Sequence, residues 1–158
     1  MANNKPLASN SPKPPIIALD LGEKRIGVAI SDELSISITR LKTLPRTNWK
    51  QLLDDVATVI RRFDAQTLVI GFPLRANGSV GEAAVSARAT AEKFAKSLAI
   101  PVYLQNEHLS SVEAEESLRE KGHPKNSILE LVDAEAAAII LRDFIVSTDP
   151  RVLVAPSE

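Results

Sequence analysis

The first regular pattern along the chain is a run of four apolar residues, Ile16-Ile17-Ala18-Leu19. Apolar on both faces of an extended segment, it predicts a central strand covered from both sides. Leu21-Gly22-Glu23-Lys24 predicts a short turn and residues 25–31 a second strand, so that the two form a hairpin. A turn at Asp32-Glu33 leads into a third strand over 36–43, which completes an antiparallel meander. The period then lengthens from two to 3.6. Trp49, Leu52, Leu53, Val56, Val59, Ile60 and Phe63 recur at helical spacing, with Thr47 or Asn48 as the cap.

Thr67-Leu68-Val69-Ile70 predicts a short β-branched strand ending at Gly71, and the residues from Phe72 to Ser79 predict an ordered loop. An alanine-rich helix is expected from Glu82 to Leu98, small enough in its side chains to lie close on a sheet, and Val102-Tyr103-Leu104-Gln105 predicts the fifth strand. Ser110-Ser111-Val112-Glu113 and Ser127-Ile128-Leu129-Glu130 are capping-box patterns. They predict one helix stopped by Gly122 and Pro124 and another running to about Val146, with Val152-Leu153-Val154 left as a small edge strand or tail. The fold class expected is α/β: a mixed five-stranded sheet, an antiparallel meander followed by parallel strands, with helices on both faces. This is the element order of a three-layer α/β/α RNase H-like fold. Residues 1–14 read as a flexible tail ended by Pro12 and Pro14, residues 15–147 as the domain, and residues 148–158 as a C-terminal tail.

Composition narrows the chemistry more than the fold. The chain has no cysteine, which removes disulfides and thiolate metal sites from consideration. No apolar run approaches the ~18 residues that span a bilayer, and the polar, proline-rich N-terminus lacks the apolar segment of a signal peptide. The expectation is a cytoplasmic protein without a membrane partner. A net charge of −1 hides an asymmetry: residues 1–75 hold 11 Lys/Arg against 7 Asp/Glu, and residues 76–158 hold 8 against 13. Such a division can give a neutral protein one basic face.

Three acids stand where acids are costly. Asp20 follows four apolar residues and shares a strand face with Ile16 and Ala18, where an ionised carboxylate needs a partner. Its alternative role is an Asx turn serving the hairpin. Asp133 lies at helical spacing from Leu129, Ala136, Ala137 and Ile140, on the face that packs on the sheet, whereas Glu130 and Glu135 read as acids that merely favour a helix start. Glu107 directly follows the fifth strand, and ligands of open α/β sheets bind beyond the carboxyl ends of strands; the alternative there is a solvated loop acid. An all-oxygen set of this kind suits a hard octahedral cation, Mg²⁺ or Mn²⁺, and two such ions ~4 Å apart suit phosphodiester hydrolysis.

With those residues in view, the chain resembles the YqgF/RuvX-like family, the pre-16S ribosomal RNA nucleases (Holliday junction resolvase-like) of the RNase H-like superfamily. Asp20-Leu21-Gly22 through Lys24-Arg25-Ile26-Gly27-Val28-Ala29 is similar to the family's opening hairpin, and Ile70-Gly71-Phe72-Pro73-Leu74 with Asn77-Gly78-Ser79 to its central loop. Glu107-His108-Leu109-Ser110-Ser111, followed by Glu113-Ala114, stands where the family carries Asp-Glu-Arg-Leu-Thr-Thr. Val132-Asp133 with Ala136-Ala137 and Ile139-Ile140-Leu141 resembles the closing helix. The resemblance implies a metal-dependent endonuclease acting on structured nucleic acid, with Asp20, Glu107 and Asp133 as metal-binding catalytic acids. Lys24, Arg25, Arg75 and His108 are the candidate nucleic-acid contacts. The substrates implied are pre-16S rRNA, alone or in ribosomal precursor particles, or branched DNA, and the protein would act as a monomer or a homodimer. A non-catalytic RNA-binding module of the same fold stays open, because Asn106 and His108 replace the family's Asp and Arg around Glu107.

Overall fold

The computed structural model describes residues 11–107 and 125–156; His108 and the helix expected from Ser110 to Gly122 lie outside the described residues. Nine elements follow in the order β1 (Ile16–Leu21), β2 (Arg25–Ser31), β3 (Ile38–Pro45), α1 (Trp49–Phe63), β4 (Thr67–Pro73), α2 (Glu82–Ser97), β5 (Val102–Glu107), α3 (Lys125–Val146) and β6 (Val152–Leu153). The sheet order is β3-β2-β1-β4-β5-β6. β1 pairs antiparallel with β2 and β2 with β3, while β1, β4 and β5 run parallel, as the meander-then-alternation pattern requires.

The expected sheet of five strands is corrected to six. Val152 and Leu153 pair antiparallel with Leu104 and Tyr103, so the last strand covers the otherwise open edge of β5. β4 also runs beyond its expected end: Gly71, Phe72 and Pro73 continue the ladder against Gln105, Asn106 and Glu107. The glycine read as a strand terminator is an interior strand residue here, for a reason that lies in the site.

The apolar run of β1 divides between two cores, as strand alternation dictates. Ile17 and Leu19 join Ile26, Val28, Leu68, Ile70 and Leu104 beneath α1 and α2. Ile16 and Ala18 join Ala29 and Val69 beneath α3, against Ala137, Ile140, Leu141 and Phe144. Helix α1 starts where Asn48 Oδ1 accepts from the Gln51 N–H at 2.9 Å and stops at Asp64, which takes the left-handed conformation at φ 53°. Helix α2 buries Ala84, Ala87, Ala91 and Phe94, one stripe of mostly small side chains, and Phe94 meets Trp49 of α1 edge-on at 4.8 Å. Among the described residues no helix is long and apolar enough to cross a membrane.

Candidate active site

Strand register decides which side chains meet at the carboxyl ends of β1, β4 and β5. Leu19 pairs with Ile70 and Ile70 with Leu104, so Asp20, Gly71 and Gln105 stand level, and Glu107 is two residues further along β5. Alternation sends Asp20, Gly71 and Glu107 to the face that carries Ile16, Ala18 and Val69, the face covered by α3. β4 lies between β1 and β5, so any side chain at position 71 would stand between the two acids.

Gly71, with no side chain, gives that place to the Glu107 carboxylate. A Cβ there would be 1.9 Å from Glu107 Oε2 and 2.6 Å from Ile140 Cδ1 of α3. No residue with a side chain fits without moving the carboxylate, which is why this strand carries a glycine in its interior. The main chain secures the arrangement, since the Leu74 N–H donates to the Glu107 carbonyl at 3.0 Å.

The Glu107 carboxyl is held in an unusual state. Its Oε2 is buried and accepts no hydrogen bond from the described residues. Burial first, and the charge of Asp20 second, push its pKa up to about 8. Two carboxylates drawn together, one of them with an orphaned buried oxygen, are the electrostatic signature of a site that gains from a cation. The all-oxygen donor set fits a hard divalent ion.

Asp133 lies in α3, two turns before Ile140. Its side chain is outside the described residues, and among those described no group of three or more acids or imidazoles comes together. Lys24 is exposed in the β1–β2 turn, Arg25 is half-buried at the start of β2, and Arg75 is exposed in the loop before α2. Arg75 rests on Gly81, where a Cβ would come within 2.5 Å of its Nε. Its main chain closes a turn: the Gly78 N–H donates to the Arg75 carbonyl and the Arg75 N–H to the Ser79 carbonyl. Asn106 is exposed and, by alternation, on the opposite sheet face from Glu107.

Beside the acids is a cavity of about 350 Å³, lined among others by Asp20, Gly71, Glu23, Arg46, Glu82 and Ser86. Arg46, Glu82 and Ser86 were not among the sequence candidates. Arg46 directly follows β3, which ends at Pro45, two residues beyond the strand end expected from sequence.

The profile of the RuvX family, described as Holliday junction resolvase, matches residues 15–147. The chain belongs to the RuvX family. Its relatives include a protein of Syntrophus aciditrophicus (strain SB) bearing the name "Putative pre-16S rRNA nuclease", 38% identical over 130 residues, which are 82% of this chain and 87% of that one. A protein of the same name from Anaeromyxobacter sp. (strain Fw109-5) is 39% identical over 129 residues, 82% of this chain and 94% of its own. Among solved structures, Thermus thermophilus RuvC in complex with a Holliday junction substrate superposes with a TM-score of 0.53, over 87% of this chain and 98% of that one. At 16% identity that likeness concerns the fold, and it agrees with the RNase H-like architecture of this RuvX-family chain. Family and relatives together mark the chain as a nuclease by kinship.

Proposed function

We propose that this chain is a divalent-cation-dependent endonuclease of the cytoplasm that cuts structured nucleic acid, with the precursor of 16S ribosomal RNA as its substrate. The observation that carries this reading is the Glu107 carboxyl, buried beside Asp20 with one oxygen unpartnered among the described residues. In a nuclease family, such a pair of acids has a defined use. Asp20, Glu107 and Asp133 would hold Mg²⁺ or Mn²⁺. When bound, such cations supply Lewis acidity toward water and toward the oxygens of a phosphodiester.

The chain's own residues do the rest. Asp20 brings its charge from a strand paired on both sides, so its position is fixed before any ligand arrives. Glu107 gives up its proton as positive charge enters, which couples binding to pH. Gly71 gives the Glu107 carboxylate room to lie against β4. Lys24, Arg25 and Arg75, with His108 beside the site in sequence, would meet substrate phosphates, positioning the strand without reading its bases. Asn106 faces away from Glu107, so replacing the family's Asp there leaves the acid pair intact. His108 in place of Arg offers a phosphate less charge, and the expected consequence is weaker rather than absent cleavage.

The family description favours a second reading, cleavage of four-way DNA junctions. Symmetric cutting of a junction needs two sites in a homodimer, whereas RNA cleavage needs one. The test compares cleavage of pre-16S rRNA, ribosomal precursor particles and a synthetic junction at equal protein concentration, with Mg²⁺, Mn²⁺ or EDTA. Metal-stimulated RNA cleavage that Asp20→Asn abolishes, with an unchanged circular dichroism spectrum, is the expected result. Faster junction cleavage moves the substrate to DNA. RNA binding without hydrolysis in either metal leaves a non-catalytic binding module and overturns the enzyme reading.

A further inference from the structure

Arg46 belongs to none of the motifs that point to the site, yet it is tied to the hairpin that carries Asp20. Its main-chain N–H donates to the Lys24 carbonyl at 3.0 Å. Its Nη1 donates to the Gly22 carbonyl at 2.8 Å, with a longer contact to the Leu21 carbonyl at 3.5 Å. All these acceptors are neutral. Other arginines of the fold spend their charge on acids, Arg40 on Glu135 and Arg142 on Asp143. Arg46 forms no ion pair with a described carboxylate and so keeps its full charge.

That charge faces a demanding neighbourhood. The cavity beside the acid pair has Asp20, Glu23 and Glu82 on its walls, and Arg46 is the one cationic side chain among its described lining residues. A polyanion entering such a space is repelled everywhere except near the guanidinium. The volume of about 350 Å³ is that of a small-ligand site rather than of a single ion. With Nη1 anchored on carbonyls, the Nε–Nη2 edge is left to pair with two oxygens of one phosphate, the geometry in which arginine surpasses lysine.

We propose that Arg46 is the phosphate clamp of this site, seating a substrate backbone phosphate in the cavity next to Asp20 and Glu107. The proposal rests on the nuclease reading and supplies it with a substrate-binding residue beyond Lys24, Arg25, Arg75 and His108. The competing role is purely local, with Arg46 stapling the hairpin and nothing more.

The test is binding of a fluorescent pre-16S rRNA fragment to full-length protein, measured by anisotropy in EDTA across a salt series, so that no cleavage is required. Arg46→Ala is expected to weaken binding about three- to tenfold near 0.1 M salt and to reduce the slope of log K against log salt by about 0.7. Arg46→Lys, which keeps a charge and a hairpin donor but loses the fork, is expected to bind between the two and guards against a folding defect in the alanine variant. Mn²⁺ affinity by calorimetry should be unchanged in both. A wild-type salt slope in both variants, with Mn²⁺ affinity lowered, would overturn the clamp in favour of the staple. Wild-type protein that binds RNA without ever cutting it defeats the nuclease reading alone; wild-type protein that binds no RNA defeats both.

Discussion

Two glutamates are withdrawn from water in this fold, and they are treated in opposite ways. Glu135 of α3, 4% exposed, receives two 2.7 Å hydrogen bonds from Nε and Nη2 of Arg40 on β3, a bidentate pair that bolts the helix to the edge of the meander. Glu107 of β5 receives none from the described residues at its buried Oε2, and the nearby charge it meets is that of another acid. The first carboxylate is satisfied by the fold. The second has no such partner among the described residues, and a cation is a ligand that would supply one. Buried charges that a protein pairs internally are structural, and those it leaves facing like charge mark sites.

The strongest way to break this contrast is to remove the like charge that Glu107 faces. Asp20→Asn should lower metal-dependent cleavage by at least about 10³-fold, equivalent to roughly 4 kcal/mol of transition-state stabilisation, without loss of melting temperature. Cleavage assays with a thermal melt check both halves. The mirror experiment takes the guanidinium away from the satisfied acid. Arg40→Ala leaves Glu135 buried without its guanidinium and should destabilise the fold by about 3 kcal/mol, the low end for a broken buried pair because Arg40 is 44% exposed. Urea denaturation reads this directly, and a loss below ~1 kcal/mol would mean that Glu135 finds other partners.

The third effect is a pH dependence that belongs to Glu107. Glu107 titrates at about 8 in the fold against 4.5 ordinarily, so the unfolded chain loses that proton first. Stability is therefore fullest below about pH 4.5 as far as this group is concerned and falls as pH rises toward 8. In EDTA the melting temperature should drop by roughly 6–12 °C between pH 5 and 8, about 3 kcal/mol for a chain of this size. Glu107→Gln should flatten that slope, and Mn²⁺ should restore the wild-type melting temperature most at the alkaline end. The smallest effect concerns the exposed cation that rests on Gly81. Gly81→Ala displaces the flexible end of Arg75 and should cost less than ~0.5 kcal/mol of stability while weakening RNA binding about twofold. A change in Mn²⁺ affinity in that variant would tie Arg75 to the acid pair rather than to substrate.

What the sequence could show of all this follows from the range over which its signals act. Apolar runs and periodicity are local, so β1 under two cores, the capped α1 and the small-residue stripe of α2 were readable in full. The acids Asp20 and Glu107 were readable because each interrupts or ends a local pattern. Gly71 was misread as the end of a strand, since a glycine after four apolar residues looks like a stop. Its real neighbour is the Glu107 carboxylate, 36 positions away in sequence and brought there by strand register. Glu135 was misread for the same reason: near a helix start it resembles a dipole acid, and only the tertiary fold brings it Arg40, 95 residues earlier. Arg46 carried no periodic or motif signal, because its role comes from standing at a strand end beside a hairpin. The two-residue β6 was readable only as an apolar Val152-Leu153-Val154 run, edge strand or tail, because two residues are too few for an alternating pattern to decide.

Whether Glu107 and Asp20 hold a divalent cation is tested most directly by a crystal soaked in Mn²⁺ near pH 8. Anomalous density is expected about 2.1 Å from carboxylate oxygens of both Asp20 and Glu107. Carboxylates free of density, with Glu107 Oε2 bonded instead to a protein donor, would contradict it.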